Sequence, residues 1–154
     1  MTLEEEIKQT KFKSQYQKAI INILFTAGWI ENEHHRFFKQ YGISSHQYNI
    51  LRILRGQNGN PASMGMLQER MLDRMSNASR LVEKLKQKGL VDRTENKKDR
   101  RQVDVTITKS GLDLLNETDD KVELIQNAII HISEEESKTI NLLLDKLRDK
   151  IKTK

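Results

Sequence analysis

The sequence predicts a mostly α-helical protein in which two short helices are followed by a two-stranded β-hairpin. Three observations support this prediction. Leucine and isoleucine recur at helical spacing along most of the 154 residues. Two short amphipathic segments lie on either side of a tight junction near residue 73. A charged stretch at 95–101 then leads into an alternating apolar and polar segment at 102–107, and this period of two is typical of a half-buried strand.

The first third of the chain is predicted to form two helices. The first covers about residues 11–40, and Gly42 is expected to end it in a left-handed conformation, which glycine adopts without strain. The second opens with a capping box, in which the side chains of Ser44 and Gln47 bind each other's backbone amides. Residues 56–61 form a Gly/Pro-rich turn that is too short to link two domains.

Two further short helices are predicted with almost nothing between them. The first covers about residues 64–72 and is capped by Ser63. The second covers about residues 74–88. Asp73 is the preferred N-cap of this second helix, and Ser76 is the alternative.

A glycine and a hairpin follow the second short helix. Gly89 is expected to end the helix, with Leu90 placed to contact Leu85 in a Schellman motif. Strands are then predicted at about 90–94 and 102–107, joined by the charged loop.

Two helices complete the prediction. One starts at 108–111 and runs to about His131, and the other opens with a capping box of Ser133 and Glu136. Apolar stripes near both ends of the chain exceed what one compact unit covers, so dimerisation is preferred over packing within one chain. These stripes contain Ile7, Phe12, Ile140, Leu143, Leu144, Leu147 and Ile151.

Composition excludes several kinds of chemistry. The chain has no cysteine, which rules out disulfides, thiolate catalysis and cysteine-ligated zinc. It contains no glycine-rich phosphate loop, nucleophile elbow or metalloprotease motif, so we expect neither an enzyme nor a cofactor. The N-terminus is acidic where a secretory signal is basic, and no apolar run approaches the ~20 residues of a membrane span. A cytoplasmic protein is therefore expected.

Histidines and aromatic residues in the first half raise two further hypotheses. His34 and His35 invite a zinc site, but neighbouring side chains on a helix point about 100° apart and do not chelate one ion together. No metal site is expected. The aromatic residues are interpreted as core rather than as the lining of an effector pocket. They are Trp29, Phe37, Phe38 and Tyr48.

The positive charge of the chain is concentrated in one segment. The net charge is +5, and the 22 residues from Arg80 to Arg101 hold nine Lys or Arg and four Asp or Glu. The rest of the chain carries equal numbers of bases and acids. A solvated surface does not require this asymmetry, whereas a surface that binds a polyanion does.

The two short helices match the helix-turn-helix pattern, whose second helix enters the DNA major groove. Asparagine can recognise adenine and arginine can recognise guanine through paired hydrogen bonds, whereas lysines suit phosphates, which orient the protein without reading sequence. The candidate contacts are Ser76, Asn77, Ser79 and Arg80 for bases, and Lys84, Lys86 and Lys88 for phosphates.

The hairpin is interpreted as a wing beside the DNA. A rigid two-stranded ribbon can hold cations against the duplex, and guanidinium groups suit a narrow minor groove. Asp99 is ill suited to contact DNA and is expected to hold an arginine in its working geometry. The candidate wing contacts are Lys97, Lys98, Arg100 and Arg101.

With these elements in order, the sequence resembles the MarR family of bacterial winged-helix regulators. The resemblance rests on residues 77–82, 88–91, 99–101 and 107–111, read as NASRLV, KGLV, DRR and ITKSG. It covers about residues 44–115 closely and the flanking helices in outline. The sequence departs from the family at 73–76, where a small polar cap is common, and this leaves the start of the recognition helix open.

The resemblance implies a fold class, a partner and a mechanism. It implies a mostly α-helical winged helix-turn-helix with a two-stranded β-wing, flanked by long N- and C-terminal dimerisation helices. Residues 1–43 and 109–154 would form the dimerisation region, and 44–108 the DNA-binding domain. It further implies a homodimer that binds a palindromic operator, usually represses transcription and responds to a small-molecule effector. Arg101 would enter the minor groove, with Asp99 orienting it.

Two rival functions remain at this point. A nonspecific or architectural nucleic-acid-binding protein would use the same basic surface, and its affinity would not depend on sequence. A winged-helix module that binds proteins and not DNA would tolerate loss of Arg80 and Arg101. The operator, the regulated genes, the effector and the choice between repression and activation are not encoded in recognisable motifs.

Overall fold

The structure is a computed structural model that describes residues 1–96, 99, 101–129 and 131–149. Four residues named above lie outside the described residues, and these are Lys97, Lys98, Arg100 and Ile151. The contacts divide the chain into two compact units, Met1–Leu115 and Asn116–Lys154.

The predicted fold class, a mostly α-helical winged helix-turn-helix with long flanking helices, is confirmed. A short helix and a short strand occur that were not predicted. The elements are α1 (Leu3–Ile7), α2 (Gln15–Lys39), α3 (Ser45–Arg55), β1 (Ala62–Ser63), α4 (Met64–Arg70), α5 (Ala78–Gln87), β2 (Val91–Glu95), β3 (Val103–Ile107), α6 (Lys109–Ile129) and α7 (Glu134–Arg148).

Helix α1 precedes the first predicted helix. Thr2 and Glu5 form a capping box at its start. Lys18 of α2 lies 2.5 Å from the Glu4 carboxylate, and Leu3 is buried. Because α1 has only five residues, it is too short to show a helical period in the sequence.

Helix α2 ends as predicted but starts later. Its N-cap is Ser14, whose side chain accepts a hydrogen bond from the Gln17 amide, so the helix does not extend back to residue 11. At its other end Gly42 has a φ of +67°. The Ile43 amide donates to the Phe38 carbonyl at 3.3 Å, which completes a Schellman ending.

Helix α3 lies at the centre of the first unit. The predicted capping box of Ser44 and Gln47 is confirmed at its start. Ile50, Leu51 and Leu54 are almost completely buried, and α3 contacts α2, α4, α5 and β3. This central helix therefore supports α5 and one strand of the wing, β3.

Three of the four aromatic residues interpreted as core are buried. The Phe37 and Phe38 rings meet edge to face with centroids 4.9 Å apart, and the centroids of Phe38 and Tyr48 are 4.4 Å apart. Trp29 is exposed, so the core interpretation is wrong for this residue. The reason is its position in residues 24–32 of α2, all of which are exposed.

The wing belongs to a three-stranded sheet and not to an isolated hairpin. β3 pairs antiparallel with β2 on one side and with β1 on the other, with Arg93 and Ala62 both opposite Val105. Val105 is completely buried. β1 was not predicted because two residues beside a turn show no alternation.

Helix α5 begins four residues later than the sequence predicts, and both predicted N-caps are wrong. The N-cap is Asn77, whose side-chain oxygen accepts from the Arg80 amide at 3.0 Å. Asp73 instead closes a turn, since its carboxylate accepts from the Met75 amide and the Ser76 hydroxyl. Three residues with capping side chains, Asp73, Ser76 and Asn77, lie within five positions and made the boundary ambiguous, and the tertiary contacts of this turn decide it.

The end of α5 agrees with the prediction. Gly89 has a φ of +69°, and the Leu90 amide donates to the Leu85 carbonyl at 3.0 Å. These two features identify the expected Schellman motif. They set the direction in which the chain enters β2.

The last helix starts at the predicted capping box of Ser133 and Glu136. None of the 15 residues of α7 is buried, although the helix carries an amphipathic pattern. Ile140, Leu143 and Leu147 are among its exposed apolar residues.

In the described part of the chain, no helix has the length and apolar character needed to cross a membrane. Among the described residues there is also no group of three or more His, Asp or Glu side chains arranged to hold a metal ion.

Candidate nucleic-acid interface

Helix α5 has one buried and one exposed face. Ala78, Val82 and Leu85 are buried at helical spacing, and they fix the helix through contacts with α3, α4 and β2. Ser79, Arg80, Lys84 and Gln87 are exposed. The exposed face is thus polar and cationic, as a helix that enters a major groove requires.

The two predicted base contacts that precede α5 are engaged within the protein. The Ser76 hydroxyl donates to the Asp73 carboxylate at 2.6 Å. The Asn77 oxygen accepts from the Arg80 amide as the helix cap. Recognition of adenine by asparagine uses both its oxygen and its nitrogen, so Asn77 would have to read a base with an oxygen that already accepts the cap bond.

Gln68 of α4 holds the turn between the two short helices. Its side-chain nitrogen donates to the carbonyls of Arg74 and Ser76 at 2.5 and 2.8 Å. Its side-chain oxygen accepts from the Ala78 amide at 3.2 Å, which satisfies a donor at the start of α5. Sequence reasoning missed Gln68, since a single polar residue on a short helix carries no distinguishing pattern.

Two residues of α3 also bind this turn. Asn49 accepts a hydrogen bond from the Leu72 amide at 3.0 Å, and a ring nitrogen of His46 lies 3.1 Å from the Asp73 carboxylate. The other ring nitrogen of His46 lies 3.6 Å from the Glu31 carboxylate of α2. The central helix therefore positions the turn that precedes α5. These residues were also missed, because their contacts are long-range.

Hydrogen bonds hold the pKa of Asp73 below its usual range. The largest cause is the Ser76 hydroxyl, followed by the Met75 amide and the His46 side chain. All three favour the ionised carboxylate. Asp73 is thus a charged organiser of the turn and not a group that contacts a polyanion.

In the wing, Asp99 binds Arg101 twice. One carboxylate oxygen accepts from the Arg101 amide at 3.0 Å and from its Nε at 3.3 Å. The other oxygen accepts from the Gln102 side chain at 3.3 Å. The Arg101 side chain is 92% exposed. A single carboxylate therefore fixes both the backbone amide and the Nε of Arg101, whose side chain faces solvent.

The hydrogen bonds of Arg101 also lower the pKa of Asp99, the backbone amide contributing most and the Arg101 side chain next. The loop itself is closed by Asn96, whose side-chain oxygen accepts from the Asp99 amide at 3.0 Å. The Asn96 side-chain nitrogen donates to both carboxylate oxygens of Asp104. These bonds tie the tip of the wing to β3.

Two cations of the basic segment bind other groups of the protein. Lys88, interpreted as a phosphate contact, donates to the Gly42 carbonyl that follows α2. Arg93 of β2 lies 3.2 Å from the Glu83 carboxylate of α5. Lys88 is exposed, and its ammonium already satisfies a carbonyl at the end of a helix, so its contact with a phosphate stays a prediction.

Known proteins that resemble this chain are DNA-binding transcription regulators. A model of the MarR family matches residues 41–102. Over 83 residues the chain is 28% identical to the HTH-type transcriptional regulator PapX of Escherichia coli, and the match covers 54% of this chain and 51% of PapX. The chain thus spans about half the length of this curated relative.

Solved structures match over most of the chain. The MarR transcription factor from Planctomyces limnophilus superposes with a TM-score of 0.69 at 27% identity, covering 88% of this chain and 98% of that one. S. aureus MepR, in a complex with DNA, superposes with a TM-score of 0.73 at 19% identity, covering 89% and 97%. Together with the helix-turn-helix, the wing and the matched motifs, these findings support a winged helix-turn-helix protein of the MarR family.

Proposed function

We propose that this protein is a sequence-specific double-stranded DNA-binding transcriptional regulator, and that it acts as a repressor. The observation that carries the proposal is the combination of a polar, cationic α5 face with an exposed Arg101 fixed by Asp99. Helix α5 would lie in the major groove and Arg101 in the neighbouring minor groove. The DNA-binding domain would comprise residues 44–108.

Within this proposal the exposed side chains have different roles. Arg80 and Ser79 would contact base edges, and Lys84 would neutralise a phosphate. The wing residues Lys97, Lys98 and Arg100 are assigned to DNA contacts on the basis of the sequence alone. Ser76 and Asn77 would contribute by shaping the turn, because their side chains already serve Asp73 and the Arg80 amide.

The protein would bind as a homodimer, with 1–43 and 109–154 as the dimerisation region. The exposed apolar residues of α7 and of the exposed stretch of α2 support this step, since soluble chains rarely leave such stripes uncovered. Two-fold symmetry would present two α5 helices to half-sites ~34–36 Å apart on a palindromic operator.

Release from DNA would follow from a shift between two dimer states. A small molecule that binds better to a dimer with the wrong spacing of its α5 helices would lower the population able to bind the operator. Support for this step comes from the family, and no described residue is assigned to the effector.

The proposal is tested by selecting sites from random duplex DNA with the full-length protein. We expect a two-fold symmetric sequence, bound ~10³-fold or more tightly than random duplex. Arg80→Ala and Arg101→Ala should each weaken operator binding. Each should also flatten the salt dependence of binding, which changes by about 0.9 per neutralised phosphate.

Lys11→Ala is the control, because it removes an exposed cation outside the proposed interface. Equal affinity for selected and random duplex would favour an architectural role. Absence of any affinity for duplex DNA at low salt would overturn the proposal and favour a module that binds proteins.

A further inference from the structure

Two large apolar side chains are exposed in the turn between α4 and α5. Leu72 is 89% exposed and Met75 is 93% exposed, although the residues on either side of the turn, Met71 and Ala78, are buried. Single exposed apolar residues are common on proteins and need no explanation. Here two occur within four residues, immediately before the helix proposed to enter the major groove.

The backbone of Met75 is unusually well fixed for an exposed turn residue. Its amide donates to the Asp73 carboxylate at 2.9 Å. The carbonyls on either side, those of Arg74 and Ser76, both accept from the side chain of Gln68. The turn therefore projects the Met75 side chain in a defined direction, and the side chain does not pack into the core.

The surroundings of Met75 suit a polyanion better than an apolar protein surface. Arg74 beside it is exposed, as are Arg80 and Lys84 on the following helix. Met75 lies two residues before the N-cap Asn77, and the N-terminal residues of a recognition helix are those that meet base edges.

The major groove offers one apolar feature to such a side chain, the C5 methyl group of thymine. We propose that Met75 contacts a thymine methyl in each half-site and is thereby a specificity-determining residue. This inference rests on the proposed function. The flexible thioether side chain can adjust to the position of the methyl group, while the fixed backbone keeps it at one base pair.

The test replaces each thymine of the selected operator with uracil, which removes only the methyl group. Wild-type protein should lose about fourfold in affinity for one methyl, and about 10–20-fold when both half-sites are changed, as the transfer free energy of a methyl group implies. The loss should occur at one position in each half-site. Met75→Ala should bind both operators equally.

Two further variants make the result specific. Met75→Leu retains an apolar side chain and should retain sensitivity to the methyl. Leu72→Ala removes an equally exposed side chain from the same turn and should leave the sensitivity unchanged. Circular dichroism spectra should show all three variants folded, since both side chains face solvent.

The inference is overturned if no thymine position is sensitive, if Met75→Ala keeps the sensitivity, or if Leu72→Ala abolishes it. Loss of regulation in Met75→Ala with unchanged DNA affinity would instead assign the side chain to a protein partner. If wild-type protein bound selected and random duplex equally, the proposed sequence-specific function itself would fail. That result comes from the comparison of duplexes and is independent of the uracil replacement.

Discussion

At Asp73, one exposed carboxylate organises the turn that precedes the recognition helix. It accepts hydrogen bonds from the Ser76 hydroxyl, the Met75 amide and the His46 ring. These bonds depress its pKa from the ordinary value of 3.8. A depressed pKa means that the ionised form stabilises the folded state above the ordinary value, and that this contribution is lost as pH falls through the folded-state pKa.

We therefore expect Asp73→Asn to lower the Tm at neutral pH. The difference from wild type should shrink as the pH is lowered below about 4, because the wild-type carboxyl then becomes neutral as well. Thermal unfolding followed by circular dichroism between about pH 2.5 and 7 measures this. Asp92→Asn changes an exposed acid of β2 and is the control. A Tm difference independent of pH would contradict the role of the Asp73 charge.

At the scale of elements, the start of α6 is packed directly against the ends of β2 and β3. A Cβ atom at Gly111 would lie 2.3 Å from the Leu90 carbonyl oxygen and 2.7 Å from the Ile107 side chain. The Thr108 hydroxyl also bridges this junction, since it donates to the Gly89 carbonyl at 2.7 Å and accepts from the Gly111 amide at 3.1 Å. A side chain at position 111 would force the wing and α6 apart.

Gly111→Ala tests this packing. Alanine ordinarily stabilises a helix by up to about 1 kcal/mol relative to glycine, but overpacking against a backbone atom costs about 1–3 kcal/mol, so we expect a net loss of stability. Gly65→Ala in α4 is the matched control, because its Cβ would meet nothing closer than the Ser63 hydroxyl at 3.9 Å. Urea denaturation should show lower stability only for Gly111→Ala, and equal stabilities would contradict the close contact.

At the scale of the whole molecule, the proposed dimer would cover the exposed apolar residues of α7. Leu143 and Leu147 are exposed, and a carboxylate placed among such residues would have to be desolvated in an interface. We expect Leu143→Asp to shift the protein toward monomer and to weaken operator binding strongly, since each half-site would then be bound alone.

Sedimentation velocity measures that shift, and a gel-shift titration measures the loss of operator affinity. Asn141→Asp adds the same charge to an exposed residue of α7 and should leave a dimer. A Leu143→Asp protein that sediments as wild type would argue against α7 in the interface.

Much of this protein is determined by the sequence alone. Ser44 with Gln47, Ser133 with Glu136, and the glycines 42 and 89 all act where local side-chain and backbone chemistry predicts. Such caps need only neighbouring residues, so their patterns are visible in one dimension. The concentration of positive charge from Arg80 to Arg101 is equally a property of sequence, and it indicates a polyanion-binding segment because charge can be counted without knowing how the chain packs.

Only the tertiary structure decided the start of α5, the third strand of the sheet and the roles of Gln68, Asn49 and His46. Each depends on contacts between groups distant in sequence, as when the Asp73 carboxylate meets the His46 ring at 3.1 Å instead of capping a helix. The same contacts turn Lys88 toward Gly42 and leave Met75 exposed. Local chemistry determines which groups are able to bind, whereas packing determines which of them are already satisfied and which face a partner.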